Sequence, residues 1–237
     1  MKTFSKKQLI KWGLFQQACG QEIIDRHILE VPEPSSQKIE ELVDKWLKVH
    51  SIDSQESLKV WLNQHEMSKE EWNDLVIREW LWAKWCLNHF DANLSSYYLK
   101  RKEMLDQVTY SLLRVKQKHL ANELYLRIKE KESTFKEIAS VYSEGPEKDS
   151  GGLLGPMSLS QPHPLLARFL KISTPGQLWP PKQFESWWIV VRLENLQIAK
   201  LNETLAMRLA LELGEKYLQE SYKIITTAST LQKGQIS

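Results

Sequence analysis

Two runs of β-branched and aromatic residues, far apart in the chain, most constrain its fold. Val108–Val115 and Ser186–Glu194 both have the composition of a strand. About 70 residues separate them, so they can pair only through a long connection. The sequence therefore predicts an α+β unit with a small antiparallel sheet, and not a hairpin.

The connection between these runs alternates helical patterns with turn residues. An amphipathic pattern covers Leu120–Ile128, and a second short helix is expected around Phe135–Tyr142. Residues 143–150 have the composition of a loop, and the glycines at 151, 152 and 155 permit positive φ and close packing. A third short helix is predicted over residues 164–172, before a turn at Pro175-Gly176.

The chain before residue 107 reads as helices joined by tight polar turns. It has no glycine between Gly20 and Gly145. Helices are expected over residues 1–30, from Ser36, after the capping-box pairs Asp53/Glu56 and Ser68/Glu71, and over about Leu94–Leu105.

A helical pattern returns from Leu201, with apolar residues every four positions. This helix is expected to pack back on the first helices, and the tail from Thr226 is expected to fray. The predicted organisation is a helical module (1–106), an α+β domain inserted in it (107–198), and a C-terminal helix with its tail (199–237).

Tryptophan is concentrated near the start of the chain, where seven of the ten lie before residue 90. They fall on the same helical stripes as leucines, which favours packing in a small core. An aromatic groove for apolar peptides is the alternative.

Composition limits the classes of function. The net charge of +2, from interleaved basic and acidic residues, gives no reason to expect nucleic acid or an anionic membrane as partner. Cys19 and Cys86 match no metal spacing and are expected to be reduced and buried. No signal peptide or membrane span is recognisable, so we expect a cytoplasmic protein without membrane insertion. No metal, nucleotide or other cofactor motif is present.

Motifs within the α+β region resemble the parvulin-type peptidyl-prolyl isomerase family. Phe135-x-x-Ile-Ala-x-x-Tyr-Ser is similar to the signature of its second helix, and Gly151-Gly-x-Leu-Gly to its glycine turn, with Leu153 where an aspartate is usual. The resemblance covers about 90 residues. The surrounding helices look like those of the SurA and PpiC-type folding factors.

The resemblance implies catalysis of rotation about Xaa–Pro bonds, whose barrier is about 18–20 kcal/mol. It also implies an apolar floor and a polar network of two histidines with a cysteine or aspartate. Those three positions fall on Ser111, Trp188 and Gly145, so no catalytic residue can be named. His163 is expected to be a surface residue.

The resemblance assigns the apolar floor only in part. The substrate-binding positions it implies are Leu112, Met157, Pro162, Leu166 and Trp188. Core packing explains these residues equally well.

Three functions are compatible with this pattern. The first is a parvulin-type isomerase, and the second a peptide chaperone that turns over poorly or not at all. The third is an adaptor that recognises a partner protein. The preferred hypothesis is binding of proline-containing or unfolded polypeptide with weak or absent catalysis; the client could be a precursor peptide delivered to processing or export machinery.

Overall fold

The computed structural model describes the backbone of residues 4–234 and the side chains of residues 4–224. The chain divides into two compact units. One consists of residues 1–96 and 201–237, and the other of residues 97–200. The predicted fold class is confirmed: a four-stranded antiparallel sheet with flanking helices is inserted in a mainly helical chain.

The helical unit is built from the first helices and the last. Its elements are α1 (Lys6–Lys11), α2 (Phe15–Ile28), α3 (Ser36–Val49), α4 (Gln55–Gln64), the first part of α5 (Lys69–Leu105) and α9 (Glu203–Gly234). The single helix expected over residues 1–30 is two helices, because Gly13 has a positive φ of 73° between them. Conversely, the two helices expected before residue 106 are the single helix α5.

The C-terminal helix α9 contacts α2 within this unit. The Tyr217 hydroxyl lies 3.0 Å from Nε2 of His27. α9 continues to Gly234, beyond Thr226, where fraying is expected from the sequence; the last three residues of that tail lie outside the described residues.

The early tryptophans mostly serve as packing residues. Trp72, Trp82 and Trp85 are buried, and Trp12 is exposed. Three Trp-x-x-x-His segments share one local arrangement, in which the histidine ring stacks on the tryptophan one turn earlier at 3.9–4.4 Å between ring centroids. The pairs are Trp46/His50, Trp61/His65 and Trp85/His89.

The α+β unit contains the sheet. Its elements are β1 (Gln107–Val115), α6 (Lys118–Lys129), α7 (Phe135–Tyr142), a 3₁₀ helix (Pro146–Ser150), β2 (Leu153–Ser158), α8 (Pro164–Ile172), β3 (Leu178–Phe184) and β4 (Trp187–Gln197). The strand order is β2-β1-β4-β3, with every neighbouring pair antiparallel. The two strands predicted from the sequence are therefore the central pair.

Each face of the sheet packs against different helices, because side chains alternate along a strand. Leu112, Val191 and Leu193 lie on the face that packs against α8. Leu113, Val115 and Val190 lie on the face that packs against α6 and α7. We call these the α8 face and the α6/α7 face.

The two ends of the α+β unit are bonded to each other. The Asp106 carboxylate accepts the Ala199 N–H at 2.9 Å and pairs with Lys102 Nζ at 2.9 Å. The Tyr98 hydroxyl donates to the Ala199 carbonyl at 2.6 Å. The segments by which the chain enters and leaves this unit are thus fastened side by side.

The two cysteines are free and buried, as predicted. Neither of the long helices, nor any other helix in the described part of the chain, has a stretch apolar enough to span a bilayer.

Candidate functional site

A cavity of about 310 Å³ opens on the α8 face of the sheet. Its floor is formed by Leu112 of β1, Leu166 of α8 and Ile189 of β4, all buried. Phe184 and Trp187, on either side of the β3–β4 turn, form an aromatic wall, and the buried Pro162 lies before α8. The complete lining is Tyr110, Leu112, Arg114, Leu154, Gln161, Pro162, His163, Leu166, Phe184, Glu185, Trp187 and Ile189.

One edge of the cavity is polar and is built by β1. Tyr110 and Arg114 flank Leu112 on the same face of this strand, at two-residue steps. Tyr110 is buried, and its hydroxyl has no hydrogen-bond partner among the described residues. Burial, more than the nearby charge of Glu147, raises the pKa of this phenol above its ordinary value, so Tyr110 is a neutral donor at physiological pH.

Arg114 is held in place by a buried carboxylate from the 3₁₀ helix. Its Nε donates to Glu147 Oε1 at 2.9 Å, and Nη2 lies 2.8 Å from Oε2. The Glu147 side chain is 0% exposed, whereas that of Arg114 is 29% exposed. Burying a carboxylate requires a partner charge, and here the partner is an arginine at the edge of the cavity.

Ser143 completes this arrangement at the end of α7. Its hydroxyl donates to Glu147 Oε1 at 2.6 Å and accepts the backbone N–H of Arg114 at 3.2 Å. Ser143 thereby bonds the backbone of Arg114, Glu147 bonds its side chain, and the two are bonded to each other. We call Ser143, Glu147 and Arg114 the buried triad.

Gly145 makes room for the buried triad. A Cβ at this position would overlap the Arg114 guanidinium and the Glu147 carboxylate. Its φ of −104° and ψ of 173° are accessible to any residue, so space alone requires glycine here. The position that the family resemblance assigns to a cysteine or aspartate is therefore occupied by the ion pair.

His163 lies at the mouth of the cavity and caps α8. Its Nδ1 accepts the Leu165 N–H at 3.3 Å, and its ring meets Phe184 edge-on at 5.8 Å between centroids. The side chain is exposed, as expected for a surface residue, yet it lines the cavity.

The structure divides the residues singled out from the sequence. Leu112, Pro162 and Leu166 line the cavity. Met157 packs against the core of the α8 face outside the lining, and Trp188 packs on the opposite, α6/α7 face. The assignment of Trp188 to the cavity is therefore corrected. Side chains alternate along β4, so Trp187 lines the cavity and Trp188 faces the other way.

Ser111 also lies away from the cavity. Its hydroxyl donates to Glu194 Oε1 at 2.5 Å, and its neighbours Tyr110 and Leu112 point to the α8 face. The residues that sequence analysis missed are Tyr110, Arg114 and Glu147 at the polar edge and the aromatic wall. The alternation along β1 could have revealed Tyr110 and Arg114, because they share the face of Leu112.

No group of three or more His, Cys, Asp or Glu side chains is placed to hold a metal ion within the part of the chain that the structure describes.

Comparison with known proteins identifies the α+β unit. The model of the PPIC-type PPIASE (rotamase) domain matches residues 106–195, which contain the whole sheet up to Asn195 and the entire cavity lining. Residues 106–195 are a parvulin-type domain. No protein with a curated description matches the chain significantly.

Several solved structures resemble the chain beyond the parvulin domain. The peptidylprolyl isomerase PrsA from Bacillus anthracis is 16% identical, with 94% of this chain and 98% of that chain covered and a TM-score of 0.41. PrsA from Bacillus subtilis is 17% identical, with 96% and 84% covered and a TM-score of 0.36. A SurA-like chaperone structure from Campylobacter jejuni is 16% identical, with 98% and 94% covered and a TM-score of 0.43. The parvulin assignment applies to residues 106–195, which the family model matches.

Proposed function

We propose that the parvulin domain binds proline-containing or unfolded polypeptide in its cavity and isomerises Xaa–Pro bonds weakly. The observation that carries this proposal is an apolar, aromatic-walled cavity with one polar edge, located within the segment that matches the family. Its volume of about 310 Å³ lies at the lower end of the usual range for ligand sites, about 300–1,000 Å³.

The apolar lining suits a proline ring. Leu112, Leu166 and Ile189 offer aliphatic contacts, and Phe184 and Trp187 offer ring faces. A proline ring that enters this space leaves water, and the polar edge remains available for the peptide groups on either side of it. Removing water from the amide favours the less conjugated, twisted bond.

Weak catalysis is proposed because the imidazole pair implied by the resemblance has no counterpart in the lining. The positions assigned to it are Ser111 and Trp188, on the other face of the sheet, and their cavity-facing neighbours are Tyr110 and Trp187. Of the described residues that line the cavity, His163 alone is a histidine, and it lies at the mouth.

NMR exchange spectroscopy on Ala-Xaa-Pro-Phe peptides tests the proposal. Line broadening reports binding, and cis–trans cross peaks report isomerisation in the same sample. We expect broadening with these peptides, little broadening with matched Ala-Xaa-Ala-Phe peptides, and a modest acceleration of exchange.

The cavity is tested with a variant of its wall. Phe184→Ala should weaken binding by roughly tenfold, since a half-buried ring loses its apolar contact with the ligand. Tyr142→Ala, an exposed aromatic residue on α7, is the matched control and should bind as the wild type does. Equal binding by both variants would place the peptide elsewhere, and binding without acceleration would make the domain a chaperone that does not catalyse.

A further inference from the structure

Resting on this proposed function, we infer that Arg114 is the catalytic residue and donates a hydrogen bond from its guanidinium to the nitrogen of the Xaa–Pro bond. Glu147 and Ser143 are its positioning residues. In this assignment a single arginine, positioned by Glu147, takes the place of the imidazole network.

The guanidinium of Arg114 has N–H groups that make no hydrogen bond to the described residues. It carries five N–H groups in one plane. Nε alone donates a hydrogen bond to Glu147. Nη2 lies 2.8 Å from Glu147 Oε2 as an ion pair without a hydrogen bond, and Nη1 has no hydrogen-bond partner among the described residues. Because Arg114 lines the cavity and is 29% exposed, this remaining edge is available to a ligand there.

The buried triad fixes the direction of that edge. A guanidinium that is hydrogen-bonded at Nε and ion-paired at Nη2 with a fully buried carboxylate cannot swing freely, and Ser143 ties the same carboxylate to the backbone of Arg114. Donors that are oriented before the substrate arrives lose little entropy when they act. An exposed arginine on a flexible loop would lack this advantage.

The charge of the triad indicates a neutral acceptor. Glu147 compensates the positive charge of Arg114 at 2.8 Å, and a second carboxylate, Glu185, also lines the cavity. An acidic or phosphorylated side chain would meet a carboxylate in the lining and a guanidinium whose charge Glu147 already compensates. A peptide nitrogen or carbonyl brings no such repulsion.

The choice between nitrogen and carbonyl follows from the chemistry of the amide. In the planar bond, resonance moves electron density from nitrogen to oxygen, so a donor to the oxygen stabilises the planar state and slows rotation. In the twisted state the nitrogen regains its lone pair and becomes an acceptor. A donor to nitrogen therefore binds the transition state more strongly than the ground state, which is the condition for catalysis. No covalent bond forms or breaks.

Arg114→Lys in the full-length protein is the primary test. Lysine keeps a positive charge for Glu147 but loses the planar second edge. We expect exchange of Ala-Ala-Pro-Phe to slow by about tenfold, the order expected when one transition-state donor is lost from a weak catalyst, while the dissociation constant stays within about twofold. Arg127→Lys, on the surface of α6, is the matched control and should change neither quantity.

Two further variants separate position from fold. Glu147→Gln keeps the shape of the carboxylate and loses its charge, so exchange should fall without a change in affinity, a division that a merely structural role would not produce. Should Arg114→Lys fold poorly by NMR, the double variant Arg114→Met/Glu147→Leu removes both charges together, which proteins tolerate better than the loss of one. It should bind the peptide and not accelerate exchange. Tyr110→Phe removes the other donor of the polar edge and should retain most of the exchange.

Each alternative outcome is distinguishable. If wild type and Arg114→Lys accelerate exchange equally, or if Tyr110→Phe removes the activity, Arg114 is not the donor. If Arg114→Lys weakens only the binding of Ala-Glu-Pro-Phe, the arginine is a receptor for acidic residues and the inference fails. Binding by the wild type without acceleration overturns the inference and leaves peptide binding intact, whereas absence of binding overturns the proposed function as well.

Discussion

Gly145 leaves room for the ion pair at the polar edge of the cavity because it has no side chain. Its neighbours, the Arg114 guanidinium and the Glu147 carboxylate, occupy the volume that a Cβ would need. The family resemblance implies a cysteine or aspartate at this position, where the chain has glycine. In the structure it is the space in which a different charged pair is packed.

Gly145→Asp should therefore destabilise the parvulin domain instead of restoring an active site. The new carboxylate would displace Glu147 or Arg114 and leave a buried charge without its partner, at a cost of about 3 kcal/mol or more. Thermal unfolding and amide hydrogen exchange of residues 107–115 measure the effect. Gly20→Ala in α2 is the control; it has open space around it and should be neutral or stabilising by about 0.5–1 kcal/mol. A stable Gly145→Asp protein with an intact triad would contradict this account.

The face on which a residue lies decides whether a histidine could act there. We expect Tyr110→His/Trp187→His to place two imidazoles in the cavity, since both positions line it. Ser111→His/Trp188→His should place them on the α6/α7 face. There Ser111→His adds volume and Trp188→His removes apolar packing, so the pair should destabilise the domain by about 1–3 kcal/mol. Peptide-induced shifts of the imidazole Hε1 signals distinguish the two pairs. Shifts confined to the second pair would show that the alignment made from the sequence has the better register.

At the scale of elements, the two central strands were predictable and their register was not. β1 and β4 begin and end within a few residues of the predicted runs, because β-branched and aromatic residues are concentrated there. A match to family motifs tolerates an error of one residue, whereas a strand does not, since a one-residue slip exchanges its faces. That is why Leu112 lines the cavity, whereas Ser111 and Trp188, the positions that the resemblance gives to the two histidines, lie on the other face.

The edge strands were missed for a different reason. β3 contains Pro180 and Pro181, and β2 contains Gly155 and Pro156. Proline cannot donate a ladder hydrogen bond, so strands that contain it are tolerated at a sheet edge, and both of these strands are edges. Their strand character comes from pairing with β1 and β4 and leaves little trace in local composition.

Asp106 connects elements that lie far apart in the sequence, and its loss should loosen both ends of the parvulin domain. Asp106→Ala removes the partner of Lys102 and the acceptor of the Ala199 N–H, at a cost of about 2–3 kcal/mol. Faster amide hydrogen exchange at Ala199 and in α5 near Lys102 would report it. The control is Asp149→Ala, an exposed aspartate in the 3₁₀ helix. Unchanged exchange at Ala199 would mean that the backbone alone holds the exit segment.

At the scale of the whole molecule, both cysteine thiols are buried away from solvent. Cys86 is fully buried beside Gly214 of α9, and burial raises the pKa of its thiol to about 12. Burial, followed by the charge of Glu22, also raises the pKa of Cys19. Both thiols are thus protonated at neutral pH and poor nucleophiles.

We expect neither cysteine to react with Ellman's reagent in the native protein at pH 8, and both to react in guanidinium chloride. The raised pKa of Cys86 also adds stability below about pH 9, the ordinary pKa of a thiol, and this contribution is lost as the pH rises towards about 12. Cys19→Ser isolates the signal of Cys86. Rapid labelling of Cys86 in that variant under native conditions would show that α9 opens readily from this site.

The candidate site contains both residues that could be predicted from the sequence and residues that could not. Composition and periodicity sufficed for the fold class and for α8 at its predicted bounds. Leu112 and Leu166 were implied by the family resemblance, and both line the cavity. The buried triad could not be predicted, because Arg114, Ser143 and Glu147 meet only through tertiary packing and each resembles a surface residue in the sequence. The cytoplasmic location and the link to processing or export machinery stay predictions.

The bonded ends of the parvulin domain give it the character of a cassette. A segment whose entry and exit lie side by side can be gained, removed or exchanged as one piece, since a short splice suffices to close the chain that carried it. Its active-site chemistry can then change independently of its host. The parvulin domain could then acquire a cavity with an arginine at its polar edge while the helices that carry it stay unchanged.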